Sequence, residues 1–277
     1  MIDTIATVES NLELTPGYKL LTLNFKEAIA AKAGQFAMLK AHDTFEPLLR
    51  RALAIYRIEN SNQLSFLYQV LGRGTQMLSH LDSGGKVDIL LPLGNCWLDE
   101  PLQKTGLGSK ALVVAGGIGS ASVYLLCQEL QRRQIETQIF FGAANRKVAT
   151  GCGLDDFKKL ALPITLTTDD GSLGERGFVT APLEKFLREG KGENATIYTC
   201  GPWVMMKRVA EIAEGFAIKC LASLEAPMGC GFGVCVGCVV AIKDADAKSY
   251  QAYQRVCTDG SIFPAEIIRW EVTAMAH

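Results

Sequence analysis

The middle of the chain reads Ala111-Leu112-Val113-Val114-Ala115-Gly116-Gly117-Ile118-Gly119-Ser120-Ala121-Ser122. Five apolar residues that run into glycines and then into small residues predict a buried strand, a tight turn and a helix. Gly116, Gly117 and Gly119 would let a phosphate group lie against the start of that helix. Close packing of the turn without any ligand is the alternative that these residues leave open.

Downstream of this stretch, apolar strands alternate with helical segments. Strands are predicted at 138–142, 164–168 and 196–200, and helices at 124–133, 155–160, 181–189 and 204–216. This alternation is typical of a doubly wound parallel α/β domain, which we expect to span residues 108–218. The acid that often follows the second strand is missing, because Gly142-Ala143-Ala144-Asn145-Arg146-Lys147 stands there. The choice between NAD and NADP therefore stays open.

Residues 1–101 have a different pattern, with short apolar runs at 20–25, 35–39, 52–56, 64–70 and 87–91. Such runs, separated by turn signals, predict an antiparallel β-barrel, with one helix at 74–81. Arg51 precedes one strand, and Gly74-Thr75 opens the helix. An arginine and a helix start can together hold a dinucleotide phosphate. A solvated arginine, and a plain helix cap with Thr75 at the N-cap, are the alternatives.

The C-terminal residues 219–277 are predicted to form a small cysteine module. Cys230, Cys235 and Cys238 have the spacing C-x4-C-x2-C, and Cys257 follows after eighteen residues. This is the plant-type spacing for a [2Fe–2S] cluster. A zinc site is an alternative, although zinc sites usually pair two short C-x2-C elements. Merely buried cysteines are a third, and a short hairpin is expected from 239–243 and 253–256.

Composition excludes several classes of protein. With 28 basic and 29 acidic residues, the chain has no electrostatic footprint for nucleic acid or anionic membrane. The uncharged run 111–127 is short for a membrane span and is broken by glycines. No secretory signal opens the sequence, so its nine cysteines point to free thiols or metal ligands in a cytoplasmic protein. Cys127, Cys152 and Cys220 are expected to be buried or surface thiols without a functional role.

The order of these motifs resembles the ferredoxin–NADP reductase superfamily over nearly the whole chain. The cysteine module, with Ser223-Leu224-Glu225-Ala226-Pro227-Met228 before it, resembles one branch: the iron–sulfur electron-transfer subunits of NAD-dependent dihydroorotate dehydrogenase. Cys200-Gly201-Pro202 and the loop 168–174 are also similar to that family. Two departures are Arg51-Ala52-Leu53-Ala54, where the family has R-P-x-S, and Cys96, where it has glycine.

The resemblance implies a set of site residues. FAD would bind at Arg51, Ala52, Leu53, Ala54, Tyr68, Gln69, Val70, Gly74 and Thr75. The nicotinamide nucleotide would face Gly116, Gly117, Gly119, Gly201 and Pro202, with Cys200 as the catalytic position. Cys230, Cys235, Cys238 and Cys257 would hold the [2Fe–2S] cluster.

The resemblance also implies a function and a partner. The chain would pass electrons between NAD(H) and a catalytic, FMN-type dihydroorotate dehydrogenase subunit, in a heterotetramer, for pyrimidine biosynthesis. One alternative is a related reductase subunit of a hydrogenase, sulfite reductase or bifurcating ferredoxin complex. An alternative of another class is a nucleotide-binding protein with a structural zinc module and no redox chemistry.

Overall fold

The computed structural model describes residues 1–42, 46–99, 102, 108–243 and 252–272. The predicted domain boundary at residue 101 lies outside these residues, as does the end of the third part beyond Val272.

The N-terminal part is a curled antiparallel sheet, a half-barrel of seven strands, as the sequence predicted. Its strands are β1 (Ile2–Thr15), β2 (Tyr18–Asn24), β3 (Phe36–Ala41), β4 (Arg51–Ala54), β5 (Arg57–Asn60), β6 (Gln63–Gln69) and β7 (Lys86–Leu93). They lie in the order β4-β3-β7-β1-β2-β6-β5. Between β4 and β5 the chain crosses from one edge of the sheet to the other. At the crossing, the Ile55 N–H donates to the carbonyl of Gln35, and the Tyr56 N–H donates to the carbonyl of Ser65.

The sequence pattern did not predict β1 and β5. Strand β1 carries Asp3, Glu9, Asn11 and Glu13, and of its apolar side chains only Ala6 and Val8 are buried. It is held by backbone pairing with β2 on one side and β7 on the other. Burial of a continuous apolar face, the signal that sequence reading detects, is weak in both strands.

The helix predicted at 74–81 is α1 (Arg73–Ser79). The alternative that places Thr75 at the N-cap is wrong, because Gly72 occupies the N-cap position and Thr75 lies inside the first turn. Its hydroxyl accepts the N–H groups of Leu71 and Gly72, at 3.0 and 3.2 Å. From the third position of the helix, Thr75 therefore reaches back and satisfies the N–H groups of the two residues that precede the helix.

The remaining strands of the chain are β8 (Lys110–Gly116), β9 (Glu136–Ala143), β10 (Ile164–Thr168), β11 (Glu175–Arg176), β12 (Ala195–Cys200), β13 (Lys219–Ser223), β14 (Val239–Ala241), β15 (Tyr253–Arg255) and β16 (Ile262–Pro264). Seven of them form the second sheet, in the order β11-β10-β9-β8-β12-β13-β16. All neighbours in the sheet are parallel except β16, which runs antiparallel to β13. The predicted doubly wound sheet is thus confirmed.

Helices cover both faces of this sheet. They are α2 (Ser120–Arg132), α3 (Arg146–Gly151), α4 (Leu154–Lys159), α5 (Thr180–Arg188) and α6 (Trp203–Gly215). Successive residues of β8 pack to opposite sides: Val113 lies in one apolar core with Leu126 of α2, and Val114 lies in another with Val209 of α6. A strand buried on both faces is the reason that 111–115 reads as an unbroken apolar run.

The C-terminal module is attached to the parallel sheet through β16. Lys219–Ser223, the first residues of the predicted third part, form the strand β13 of that sheet. The predicted hairpin is confirmed, because β14 and β15 pair antiparallel with Val239 opposite Arg255. Residues 244–251, between these strands, lie outside the described part.

The run 111–127 divides between β8 and α2, as expected for a chain segment inside an α/β domain. In the ranges that the structure describes, no helix is both long enough and apolar enough to cross a membrane.

Candidate functional site

A cavity of about 730 Å³ lies where the half-barrel, the parallel sheet and the cysteine module meet. The half-barrel contributes β4 and the end of β6, and the parallel sheet contributes the ends of β12 and β13 with the start of α2. Residues 224–229, Gly237 and Ser261 of the C-terminal part also line it, as do residues 71–73 at the start of α1. Because ligands of open parallel sheets bind outside the carboxyl ends of the strands, this cavity is the expected ligand site.

Most barrel residues that were predicted as site residues line the cavity: Arg51, Ala52, Leu53, Ala54, Tyr68, Gln69 and Thr75. Val70 does not, and its N–H donates to the carbonyl of Gly17 over 2.8 Å. Gly74 lies beneath the Arg51 side chain, where any β-carbon would collide with the guanidinium group. Gly74 therefore acts by making room for Arg51.

The two neighbouring arginines have different surroundings. Arg50 forms an ion pair with Asp3, with 2.6 Å between Nη2 and Oδ1. Arg51 donates from Nη1 to the carbonyl of Leu49 over 2.9 Å, and no carboxylate among the described residues pairs with it. The positive charge of Arg51 is thus the one left available to an anionic group in the cavity.

Cys200 reaches the cavity from the carboxyl end of β12. Burial, reinforced by the nearby Glu225, raises the pKa of its thiol to about 12, although Ser223, Ser122 and the Gly201 N–H stabilise the sulfur. Cys200 is therefore a neutral thiol at pH 7. Ile118, Ala121 and Ser122, from the turn after β8, lie beside it along the same wall.

The glycine turn after β8 packs directly on the turn after β12. A β-carbon at Gly119 would lie 2.5 Å from the carbonyl carbon and oxygen of Cys200, and one at Gly116 would meet Met205 and Pro202. Packing therefore explains these two glycines without a ligand. Gly117 differs, because it has a φ of +52° and open space beside it. Gly201 has a φ of +157°, and a β-carbon there would lie 2.9 Å from the Cα and the carbonyl oxygen of Gly116.

The four predicted ligand cysteines fall into two neighbouring pairs. Cys235 N–H donates to Cys230 Sγ over 3.5 Å, and Cys238 lies close enough to Cys257 to raise the pKa of the Cys257 thiol. Cys235 is exposed, whereas Cys238 and Cys257 are buried. Arg255 Nη1 donates to the carbonyl of Gly233 over 3.4 Å, which ties the loop to the segment that carries Cys257.

The loop stabilises a thiolate at Cys230. Partial burial alone would raise its pKa, but hydrogen bonds to the sulfur, from the N–H groups of Cys235, Phe232 and Val234 among others, lower the pKa to about 6. Burial and the neighbouring Cys238 raise the pKa of Cys257 to about 12. Metal binding requires deprotonated thiols, and the backbone of this loop favours that form at Cys230.

The arrangement fits two irons better than one zinc ion. Zinc requires its sulfur ligands at about 2.3 Å from a single point. In the described part of the chain, no three His, Cys, Asp or Glu side chains form a group that could hold one ion. A [2Fe–2S] cluster bound by four cysteines takes two on each iron, which matches the two pairs.

Sequence reading missed several residues of this site. Ser122, Ser223 and Glu225 line the cavity next to Cys200, and Gly229 and Gly237 bring the cysteine loop to its edge. The serines are small and polar, a composition equally typical of a tight βα turn. The only usable signal was their position, directly after the glycine turn and at the end of a buried strand.

Comparisons with known proteins identify the family of the chain. The sequence model of one protein family, the iron–sulfur cluster binding domain of dihydroorotate dehydrogenase B, matches residues 225–269. The chain is 34% identical, over 242 residues, to the dihydroorotate dehydrogenase B (NAD(+)) electron transfer subunit of Desulforamulus reducens, covering 87% of this chain and 88% of that protein. An Aquifex aeolicus homolog of that subunit is 34% identical over 264 residues, or 94% of this chain and 96% of the relative.

Solved structures share the fold. The NADH-dependent reduced ferredoxin–NADP oxidoreductase, a flavin-based electron-bifurcating enzyme, has a chain that superposes with a TM-score of 0.81 at 23% identity, covering 97% of this chain and 91% of its own. A ferredoxin NADP+ reductase from Neisseria gonorrhoeae, solved with bound FAD and NADP, gives a TM-score of 0.64 at 16% identity, covering 77% and 91%.

Proposed function

The chain belongs to the family of dihydroorotate dehydrogenase B electron transfer subunits, and from that premise we propose that it connects NAD(H) with a catalytic dihydroorotate dehydrogenase subunit in pyrimidine biosynthesis. Its cofactors are FAD and a [2Fe–2S] cluster. When bound, FAD exchanges two electrons with nicotinamide as a hydride, and the cluster accepts single electrons. The observation that carries the proposal is one cavity lined both by Arg51 and by Gly229 and Gly237 of the cysteine module.

The half-barrel, residues 1–101, holds FAD. Arg51 supplies the charge for the pyrophosphate, since Arg50 is occupied by Asp3. Ala52, Leu53 and Ala54, with Tyr68 and Gln69, form the wall for the ring system. Thr75 lines the same cavity, and Gly74 makes room for the Arg51 side chain.

The α/β part, residues 108–218, holds the nicotinamide nucleotide. Gly117 leaves the start of α2 open to a phosphate, and Gly116 and Gly119 allow the two turns to touch. Gly201 and Pro202, in the turn after β12, extend this surface for the nicotinamide nucleotide beyond Cys200. Cys200 lies where nicotinamide and FAD would meet, and as a neutral thiol it contributes no charge there.

The third part, residues 219–277, holds the cluster through Cys230, Cys235, Cys238 and Cys257. The backbone N–H groups of the loop stabilise the thiolate form at Cys230. Arg255, which is paired with Asp259 at 3.3 Å, holds the Cys257 segment against the loop.

The catalytic subunit binds over the exposed edge of the cysteine loop. Val234, which is 74% exposed, and Phe232 lie in this loop, and Leu48, 77% exposed, lies across a second cavity that Cys230 and Phe232 also line. Grouped apolar side chains on a surface mark protein interfaces. Cys235 is itself exposed there, so a bound partner would approach the cluster closely.

The partner is an FMN-type subunit, and the assembly is a heterotetramer in the cytoplasm. A cytoplasmic location is consistent with nine cysteines that form no disulfide. The partner distinguishes this function from that of related reductase subunits in other redox complexes.

The test is purification of the chain with and without the catalytic subunit encoded in the same genome. We expect flavin and iron–sulfur absorption, FAD on extraction, two irons and two sulfides per chain, and dihydroorotate-dependent reduction of NAD by the pair. Stoichiometric zinc without iron, extracted FMN, or no turnover with that partner would overturn the proposal. Val234→Glu should weaken binding of the catalytic subunit, whereas Leu12→Glu, an exposed change on β1, should not.

A further inference from the structure

One asparagine side chain of the half-barrel holds the segment that follows Cys257. Asn95, just after β7, donates from Nδ2 to the carbonyl of Ile262 over 2.8 Å, and its Oδ1 accepts the Ile262 N–H at 2.9 Å. The backbone N–H of Asn95 also donates to the carbonyl of Gly260 over 2.7 Å. A side-chain amide that satisfies both backbone groups of one residue fixes the position and the orientation of that residue.

The segment held by Asn95 belongs to the other two parts of the molecule. Ile262 begins β16, the edge strand of the parallel sheet, and its neighbour Ser261 lines the large cavity. The Ser261 carbonyl accepts the N–H of Leu224, another residue of the cavity wall, at 2.8 Å. Asn95 therefore connects the half-barrel to the place where the cavity wall meets the segment that carries Cys257.

A second contact joins the half-barrel to the loop that carries the other three cysteines. Gly231, next to Cys230, has a φ of +83°, and a β-carbon there would lie 2.5 Å from Cγ of Met38 and 3.2 Å from Cδ1 of Leu93. Met38 is fully buried in β3 and pairs with Ala52 of β4, which lines the cavity. The loop therefore lies against the strand next to the proposed FAD wall, and a glycine at 231 permits this approach.

Both stretches that supply the predicted ligand cysteines are thus docked on the half-barrel. One contacts β3 and the end of β7, and the other contacts the turn after β7. The half-barrel and the cysteine module are far apart in the sequence, so contacts of this kind determine how the two lie relative to each other. Transfer of electrons between two cofactors depends on such placement by the protein.

We propose that Asn95 and Gly231 are positioning residues that seat the cysteine module on the half-barrel and so set the separation between the [2Fe–2S] cluster and FAD. This inference rests on the proposed function, because it assumes that the half-barrel holds FAD and that the four cysteines hold the cluster.

The test measures this separation in the protein loaded with both cofactors. The first readout is the dipolar coupling between the flavin radical and the reduced cluster, recorded by pulsed EPR after partial reduction with dithionite. The second uses stopped flow to separate two rates: the reduction of FAD by NADH, and the later reduction of the cluster. Urea denaturation of each variant reports its stability independently.

Two variants of Asn95 remove its side-chain bonds in steps. Asn95→Leu is similar in size and loses both bonds to Ile262, whereas Asn95→Asp keeps the one that the Ile262 N–H donates. In Asn95→Leu we expect a weaker dipolar coupling and a severalfold slower reduction of the cluster, while reduction of FAD stays within about twofold of wild type. Asn95→Asp should have an intermediate effect.

Gln131→Met is the matched control for Asn95. It removes another part-buried side-chain amide bond, 2.7 Å long, from Gln131 Nε2 to the carbonyl of Leu160 inside the α/β part. This variant should lose stability and leave the dipolar coupling and both rates unchanged, because the bond does not join the half-barrel to the cysteine module.

Gly231→Ala tests the second contact. Its β-carbon must displace the loop from Met38, so the dipolar coupling should weaken as in Asn95→Leu. Gly84→Ala is the matched control, at a glycine with nearly the same φ, +86°, and open space beside it. Both changes introduce similar backbone strain, so only Gly231→Ala should move the cluster.

Wild-type coupling and a wild-type rate of cluster reduction in Asn95→Leu would overturn the inference. If the leucine variant does not retain its cluster, the same result in Asn95→Asp would do so, as would equal effects of Gly231→Ala and Gly84→Ala. None of these results would affect the proposed function, which fails instead if the wild-type protein binds no FAD or has no iron–sulfur absorption.

Discussion

The Tyr56 hydroxyl donates a hydrogen bond to Asp156 Oδ2 over 3.0 Å, which joins the half-barrel to the parallel-sheet part of the protein. Arg57 reaches the same oxygen with Nη1 at 3.1 Å. The Tyr56 ring also packs on Tyr124, with 4.6 Å between centroids. Tyr56 lies two residues after Ala54, and Tyr124 lies two residues after Ser122, so this contact fixes the distance between opposite walls of the cavity.

Removal of the Tyr56 hydroxyl should destabilise the protein without emptying the site. Tyr56→Phe keeps the ring contact with Tyr124 and loses a partly buried hydrogen bond to a carboxylate, which contributes roughly 1.5–3 kcal/mol. We expect a decrease of that size in the free energy of unfolding, measured by urea denaturation at matched FAD content. Tyr253→Phe, at an exposed tyrosine, is the control. An unchanged unfolding free energy in Tyr56→Phe would show that the bond contributes nothing to the interface.

Alkaline pH should destabilise the protein through its buried thiols. Full burial raises the pKa of Cys127 far above its ordinary value. Above about pH 8.5 the unfolded chain loses this proton and the folded chain keeps it, so the free energy of unfolding falls by about 1.4 kcal/mol per pH unit for that group. This contribution is fully present below pH 8.5 and is lost as the pH rises.

Cys127→Ala removes that contribution. The destabilisation it causes at pH 8 should therefore shrink by about 2 kcal/mol at pH 10, measured by urea denaturation under reducing conditions. Val113→Ala, a buried change without a titrating group, should cost the same at both pH values. A cost of Cys127→Ala that does not change with pH would contradict the assignment of a buried, protonated thiol.

The sequence was sufficient for the elements with a strong apolar signal. The run 111–115 is buried on both faces of the sheet, and α2 follows the glycine turn as the spacing predicted. Strand β1 was not predictable in this way. Backbone pairing with β2 and β7 holds it in place, and its own sequence has no strong apolar pattern. Long-range backbone pairing leaves little trace in local composition.

The most specific site prediction comes from the part of the sequence where covalent chemistry fixes the spacing. A [2Fe–2S] cluster takes cysteines at set intervals, so the motif predicts Cys230, Cys235 and Cys238 as ligands. The glycines of the turn after β8 were ambiguous, and the structure explains Gly119 by its contact with Cys200. Ser122 and Ser223 could not be found from the sequence, since 101 residues separate two side chains that become neighbours only in the fold.

FAD affinity should depend on Arg51 more than on Arg50. Both arginines line the cavity, but Arg51 has no acidic partner among the described residues, whereas Arg50 pairs with Asp3. Loss of a charge-assisted bond to phosphate costs about 1.5–3 kcal/mol, so Arg51→Ala should weaken FAD binding about ten- to a hundredfold. Arg50→Ala should change it by less than about threefold. The measurement is the dissociation constant of FAD for the reconstituted protein, and equal affinities would mean that the phosphate is held elsewhere.

Cys235→Ser should separate the two halves of electron transfer. Under the proposed function, oxidation of NADH by a dye requires the cavity between Arg51 and Cys200, and the exposed thiol of Cys235 forms no part of its lining. Under the same proposal, transfer to the catalytic subunit requires the cysteine loop. We therefore expect the variant to lose its iron–sulfur absorption and its partner-dependent turnover, while dye reduction stays within about twofold of wild type at equal FAD content. Cys127→Ser is the control for a cysteine change as such, and it should retain both activities because that thiol is packed within α2. If the Cys235→Ser protein lacks iron yet still turns over with its partner at the wild-type rate, electrons do not pass through the cysteine module, and the path proposed here is wrong.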